Sequence, residues 1–201
     1  MIEVYADIVC PFTHVGLRRL VSARKELGRD DVGIRIRAWP LELVNGAPLA
    51  PELVVEEVGE LRDHVATGLF AGLDARTFPS TSLPALALAA VAYRQDPATG
   101  EAVSLALRDA LFERGLDVSD RGVLAAIAEE HAVHVPGPEG EGLVRSEWAE
   151  GRARGVIGSP HFFVSGRDFF CPALDIKRVD GHLRITADIA GFAEFVASCF
   201  A

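Results

Sequence analysis

Cysteine is scarce in this chain of 201 residues: there are three, Cys10, Cys171 and Cys199, and no two form a Cys-x-x-Cys pair. Three thiols make no disulfide framework. Basic clusters are also missing. The positive charge is nearly all arginine, interleaved with acidic residues to a formal net charge of −9, which argues against a nucleic-acid footprint. No apolar run is long enough to span a bilayer; the longest, Leu83 to Ala92, is interrupted by Pro84. The opening residues, Met1-Ile2-Glu3-Val4-Tyr5, read as a strand, without basic n-region, apolar h-region or cleavage site. The expectation is a soluble, cytoplasmic protein with no membrane and no nucleic-acid partner. A metal centre is not expected: His131 and His134 are suitably spaced, but no carboxylate or cysteine cluster joins them, and they read as a surface pair.

What is present is ample core. The hydrophobic fraction is 49 %, enough for one large domain or for a domain with a second inserted into it. Ile2 to Val9 is rich in β-formers. Pro11 to about Gly28 reads as a helix, and Ile34, Ile36 and Ala38 alternate with Arg35, Arg37 and Trp39 as a second strand. Strand, helix and strand over about 40 residues form a βαβ unit with a right-handed crossover. From about Ala50 to Arg154 the β signal nearly vanishes. Helices are predicted over Pro51 to about Gly68, over Leu83 to Gln95, on the stripe Val103, Ala106, Leu107, Ala110 and Leu111, from a Ser119 or Asp120 cap to about Ala132, and over Glu139 to Arg154. Hairpin signals then follow around Ser165-Gly166 and Asp180-Gly181, and a last helix carries Ile189, Phe192, Phe195, Val196 and Cys199. The order is βαβ, helical block, ββ, α. Without the block it is the thioredoxin arrangement around a mixed four-stranded sheet. The expected organisation is α/β, a discontinuous thioredoxin-like domain over residues 1–49 and 155–201 interrupted by an all-helical insertion over residues 50–154.

The chemistry is expected at the first strand-to-helix junction, in "CPFT". Cys10 stands at the N-cap, where free N–H groups and the helix dipole favour thiolate over thiol. Pro11 sits in the first turn, where its fixed φ is welcome. Thr13 holds the position a second cysteine takes in a dithiol site; its hydroxyl and N–H can both reach the Cys10 sulfur and favour its charged form, but it cannot form a disulfide. The turn Gly155 to Ser159 leads into Pro160 at the start of the returning strand, opposite Cys10. A cis Ser159-Pro160 bond would turn the Ser159 backbone outward to pair with an extended substrate. His14 is expected to face solvent, and the role of His161 depends on which face it shows. Cys171 ends a strand parallel to the first with one strand between, about 9–10 Å away by strand spacing, whereas a disulfide needs less than about 7 Å. It is a candidate resolving thiol or a packed bystander. Cys199 belongs to the core.

The segments "DIVCPFTHVG" (Asp7 to Gly16), "FPSTSLPALALAA" (Phe78 to Ala90), "ALFERGLDVSDRGVLAAIAEE" (Ala110 to Glu130) and "ARGVIGSPHFFV" (Ala153 to Val164) together resemble the DsbA family of thioredoxin-fold proteins, within it the FrnE-like branch. The resemblance implies a thioredoxin fold with a helical insertion, a nucleophilic Cys10 and a cis Pro160. Thr13 in place of the resolving cysteine, and Ser159 in place of the more usual Val or Thr, depart from the pattern. The chain is also similar to the related kappa-class glutathione transferases and 2-hydroxychromene-2-carboxylate isomerases, which place serine at the position of Cys10 to activate a glutathione thiol. The expected activity is thiol-disulfide oxidoreduction through one cysteine, on mixed disulfides. Catalysis is assigned to Cys10, Thr13 and Pro160; substrate contacts to Pro11, Phe12, His14, Ser159 and His161; no bound cofactor is expected, and a low-molecular-weight thiol is the expected co-substrate. Partners would be protein or small-molecule disulfides and thiols. The alternatives are a kappa-type thiol transferase or isomerase, and a non-catalytic binding protein on the same fold. The sequence leaves the oligomeric state open.

Overall fold

The computed structural model describes residues 1–180 and 182–201. Strand β1 (Ile2–Ala6) feeds helix α1 (Pro11–Glu26), which crosses to β2 (Ile34–Ala38). Six α-helices and a single 3-10 turn (Ala75–Thr77) make up the middle of the chain: α2 (Leu41–Asn45), α3 (Pro51–His64), α4 (Leu83–Gln95), α5 (Pro97–Phe112), α6 (Arg121–Glu130) and α7 (Pro138–Ala153). The chain then returns through β3 (His161–Val164), β4 (Arg167–Phe170), β5 (Leu174–Val179) and β6 (His182–Ala187) to α8 (Ile189–Phe200). No helix among the described residues is long and apolar enough to cross a membrane.

The main sheet is mixed and four-stranded, in the order β2-β1-β3-β4. β1 and β2 are parallel, with Ile2 opposite Ile34 and Ala6 opposite Ala38. β3 runs antiparallel to β1, pairing His161 with Tyr5, and β4 antiparallel to β3, pairing Phe170 with His161. β4 is therefore parallel to β1 with one strand between. The β3–β4 turn has Ser165 at φ 53° and Gly166 at φ 76°, a pair of left-handed residues whose twist matches that of the strands they join. The second hairpin, β5–β6, is a separate two-stranded sheet beside α3; Gly181 of its sequence signal lies outside the described residues.

β1 is buried on both sides. One face, Ile2, Val4 and Ala6, packs with Leu17 and Leu20 of α1 and Phe195 and Cys199 of α8. The other presents Tyr5 to Trp39 and to α7, where a Cβ at Gly151 would lie 2.8–2.9 Å from both rings, so only glycine lets α7 come this close. A third cluster joins Ile8, Val9 and Val15, around the Cys10 junction, to Val54, Val58 and Leu61 of α3, Leu88 of α4 and Leu107 and Leu111 of α5. The helical segment thus covers the edge where Cys10 sits.

β2 is an edge strand, and an unpaired edge exposes backbone donors. Here helical side chains take them. The N–H groups of Ile34, Ile36 and Ala38 donate to the Glu101 carboxylate (2.9 Å), the Tyr93 hydroxyl (2.9 Å) and the Glu147 carboxylate (2.8 Å). The Tyr93 hydroxyl in turn donates to the Ile34 carbonyl at 2.9 Å.

Candidate active site

Cys10 is the N-cap residue of α1 with Pro11 at N1, and it is 3 % exposed. The Ser159-Pro160 peptide bond is cis. The turn carrying it reaches Cys10 directly: the Cys10 thiol donates to the Ser159 carbonyl at 3.1 Å. Ser159 is thus turned toward the cysteine, and its carbonyl does not face outward. Its hydroxyl accepts from the Asp7 N–H (2.9 Å) and is 2.9 Å from the Thr13 hydroxyl. Thr13 is fully buried, and its hydroxyl and N–H both favour the charged form of Cys10, although neither makes a cap hydrogen bond to the sulfur. One proton arrangement suits these contacts: the Asp7 N–H donates to the Ser159 hydroxyl and that hydroxyl to the Thr13 oxygen, which leaves the Thr13 proton on the Cys10 side.

The net electrostatics differ from the expectation of a thiol driven toward thiolate. Burial pushes the Cys10 thiol up from its ordinary value; the polar groups of Thr13 and Ser159 pull the other way, and the Glu57 carboxylate on α3 pushes it up further. The N-terminal donors are in place, but removing sulfur from water outweighs them. The resting group is a thiol held by a carbonyl.

His14 is the clearest correction. It is 2 % exposed, not solvent-facing, and it turns from Cys10 into the helical segment. Its ring lies between Phe70 (5.3 Å) and Phe112 (5.0 Å), and Nε2 meets the Glu113 carboxylate at 2.7 Å. Glu113 also accepts from the N–H groups of Phe70 and Ala71. Burial lowers the His14 pKa, so the ring is neutral near pH 7 and donates from Nε2. This is a tether between the first turn of α1 and the helical segment, not a substrate contact.

His161 likewise faces inward. It is 3 % exposed and stacks on Phe163. Its Nδ1 accepts from the Ile157 N–H at 3.2 Å, which leaves Nε2 to donate to Asp168 at 3.0 Å. It braces the turn before Pro160. Phe12 is half-buried against the third cluster. The exposed apolar groups of the turn are Ile157 (70 %) and Phe170 (49 %), the latter lying over Gly158, where a Cβ would meet its ring at 2.6 Å.

Cys171 flanks Pro160 on the side away from Ser159: its N–H donates to the Pro160 carbonyl at 3.0 Å. It takes a left-handed φ of 46° and is buried. Burial, with a contribution from Cys10, pushes its thiol up to about 12. All three cysteines are free, and Cys199 packs in the core with α8. His134 is 3.8 Å from Glu139, and no group of His, Cys, Asp and Glu suited to a metal ion occurs among the described residues.

Three ionisable residues around Cys10 escaped the sequence reading. Asp7, fully buried, accepts from the Leu41 N–H (2.6 Å) and the Val9 N–H (3.2 Å). Arg108 of α5, also fully buried, donates to the Asp7 carbonyl (3.0 Å) and to the Ser104 carbonyl and hydroxyl (2.8 and 2.6 Å). Burial raises Asp7 and lowers Arg108 to about 10. Glu57 lies on the buried stripe of α3, three residues after Val54 and four before Leu61, and burial pushes it up to about 7. A charged residue at a stripe position was the available signal for both Glu57 and Arg108.

The fold has solved counterparts. A 2-hydroxychromene-2-carboxylate isomerase superposes with a TM-score of 0.63 at 15 % identity, covering 84 % of this chain and 87 % of its own. The cytosolic disulfide reductase DsbM from Pseudomonas aeruginosa superposes with a TM-score of 0.55 at 15 % identity, over 98 % of this chain and 92 % of its own. At such identities the likeness is one of fold. Among curated proteins none matches the chain in sequence. The profile of the DSBA-like thioredoxin domain, whose members are enzymes of thiol-disulfide type, matches residues 1–184. With the cis Pro160 set against an N-cap cysteine in a βαβ-ββα sheet, that match shows that the chain belongs to the DSBA-like thioredoxin domain family.

Proposed function

We propose that this protein is a monothiol exchange enzyme: Cys10 attacks a mixed disulfide, and an external low-molecular-weight thiol releases it. The observation that carries this reading is Thr13. It occupies the place of a resolving thiol and is hydrogen-bonded into the site through Ser159. In the first step the Cys10 thiolate forms a bond to one sulfur of the disulfide, and the other sulfur leaves as a thiolate and takes a proton. In the second, an incoming thiolate attacks the mixed disulfide at the substrate sulfur, and Cys10 leaves. One disulfide and one thiol are consumed and one of each is produced. Cys171 is poorly suited to the second step, because a buried thiol near 12 is almost wholly protonated at neutral pH. Ile157 and Phe170 offer apolar contact for the substrate beside Pro160. Three unpaired thiols suit a reducing compartment such as the cytoplasm.

The test is intact mass after exposure to oxidised glutathione. One adduct per chain is expected, located on Cys10, stable until reduced thiol is added, and equally long-lived in Cys171→Ala. Spontaneous loss of the adduct to an internal disulfide, abolished by Cys171→Ala, would make Cys171 the resolving thiol. An unmodified Cys10 would leave the binding-protein reading standing.

A further inference from the structure

We infer that Arg108, sent from α5 into the floor of the site, is a positioning residue for the Cys10 thiolate, and that Asp7 sets how much of its charge the sulfur feels. The inference deepens the exchange reading and rests on it for its biological meaning. Two fully buried charges next to a nucleophile need a reason. Arg108 meets the Asp7 main-chain carbonyl and not its carboxylate, which is taken by the Val9 and Leu41 N–H groups, and buried charges are weak grounds for stability, since well-packed apolar residues often serve as well or better. Arg108 is also incompletely satisfied: its two terminal nitrogens bind Asp7 and Ser104, while Nε has no partner. A guanidinium kept in that condition is costly unless its charge is used.

The contacts connect it to the sulfur. Arg108 donates to the Asp7 carbonyl; the Asp7 N–H donates to the Ser159 hydroxyl; the Ser159 carbonyl accepts the Cys10 thiol. The guanidinium also interacts through space with both Asp7 and Cys10. With Cys10 as a thiol and Asp7 ionised, the charges of Asp7 and Arg108 balance. When Cys10 ionises, the floor becomes net negative, and Arg108 is the cation that limits the excess. Glu57 of α3 adds to the negative side when it is ionised. The other groups near the pair are Tyr93 of α4, which is bonded to β2, Cys171 beyond β4, and Asp109, which pairs outward with Arg18. None of these supplies a second cation. Removing Arg108 therefore hinders thiolate formation, whereas removing the charge of Asp7 assists it.

Opposite signs separate this from a merely structural role. The measurement is the rate of Cys10 alkylation by iodoacetamide against pH, read by mass on the Cys10 peptide, for wild type, Arg108→Met, Arg108→Lys and Asp7→Asn. Arg108→Met is expected to move the profile to higher pH and slow the reaction at pH 7 by about tenfold, with Arg108→Lys restoring most of it. Asp7→Asn is expected to move the profile to lower pH and speed the reaction. Shifts in the same direction for Arg108→Met and Asp7→Asn, or no shift in either, overturn the inference. Should Arg108→Met not fold, the sign of the Asp7→Asn shift decides: unchanged or slower alkylation overturns it, and faster alkylation supports it. Alkylation needs no disulfide substrate. Opposite shifts in a protein that forms no glutathione adduct would sink the exchange reading and leave the role of Arg108 intact.

Discussion

Replacing Thr13 by valine isolates the hydroxyl that stands in for a thiol. The β-branched shape is kept, the N–H remains to face Cys10, and one oxygen is lost from a fully buried position. A hydrogen bond to a charged group contributes about 1.5–3 kcal/mol, and about 1.4 kcal/mol is a factor of ten in population, so the thiolate fraction at neutral pH should fall roughly 10- to 150-fold. The rate falls less than the population. A more basic thiolate is a better nucleophile with a Brønsted coefficient of about 0.4–0.5, and the offset leaves a decrease of about 3- to 20-fold. The assay is the second-order rate of iodoacetamide labelling at pH 7, with far-UV circular dichroism as the check on folding. Thr13→Ser, which keeps the hydroxyl, should stay near the wild-type rate. If Thr13→Val labels as fast as wild type, the hydroxyl does not reach the sulfur in any way that matters, and the account of "CPFT" as a hydroxyl-supported monothiol site fails.

Thr13→Cys should convert the site to a dithiol couple, visible as a loss of two hydrogens on oxidation and as insulin reduction that the wild type lacks; a variant in which both thiols stay free under mild oxidant would contradict the spacing argument. Because the folded-state pKa of His14 is depressed, the unfolded chain binds a proton below about 6.5 that the native chain refuses, so stability should fall as pH drops beneath that value, by up to about 1.4 kcal/mol per pH unit. Urea melts of wild type and His14→Phe between pH 7 and 5 should differ by this slope, and parallel curves would place His14 in solvent. Tyr93→Phe removes one partner from both the Ile34 carbonyl and the Ile36 N–H and should cost about 2–4 kcal/mol, against less than about 0.5 if the hydroxyl were a surface group.

The parts of the fold legible in the sequence are those written as local patterns. Alternation over Ile34–Ala38, proline at N1 of α1, the Asp120 cap of α6 and the Ser165-Gly166 turn each specify their element from within a few residues. The site was legible where chemistry and punctuation coincide, at Cys10-Pro11 and Ser159-Pro160. It was illegible where function depends on burial. Nothing within one turn of His14 says that Phe70 and Phe112 will enclose it, since both lie far along the chain. A helix terminus lowers the pKa of a solvated thiol, and the Cys10 sulfur is buried, which local sequence does not reveal. Arg108 sits beside Leu107 on the inward side of α5, and its charge hid it, because a long cation is normally assigned to solvent.

The sealing of β2 bears on whether the helical segment can be excised. Glu101, Tyr93 and Glu147 come from three different helices, α5, α4 and α7, yet together they do what a fifth strand would do. A shortened chain joining β2 to β3 through a linker would leave Ile34, Ile36 and Ala38 with free donors, with only Arg35 and Arg37 on the strand to discourage pairing. Such an edge recruits strands from other molecules. The segment is therefore as much a lid on self-association as a covering for the thiol, and a minimal version of this fold would need proline or further charged substitutions along β2, beyond Arg35 and Arg37, to stay in solution.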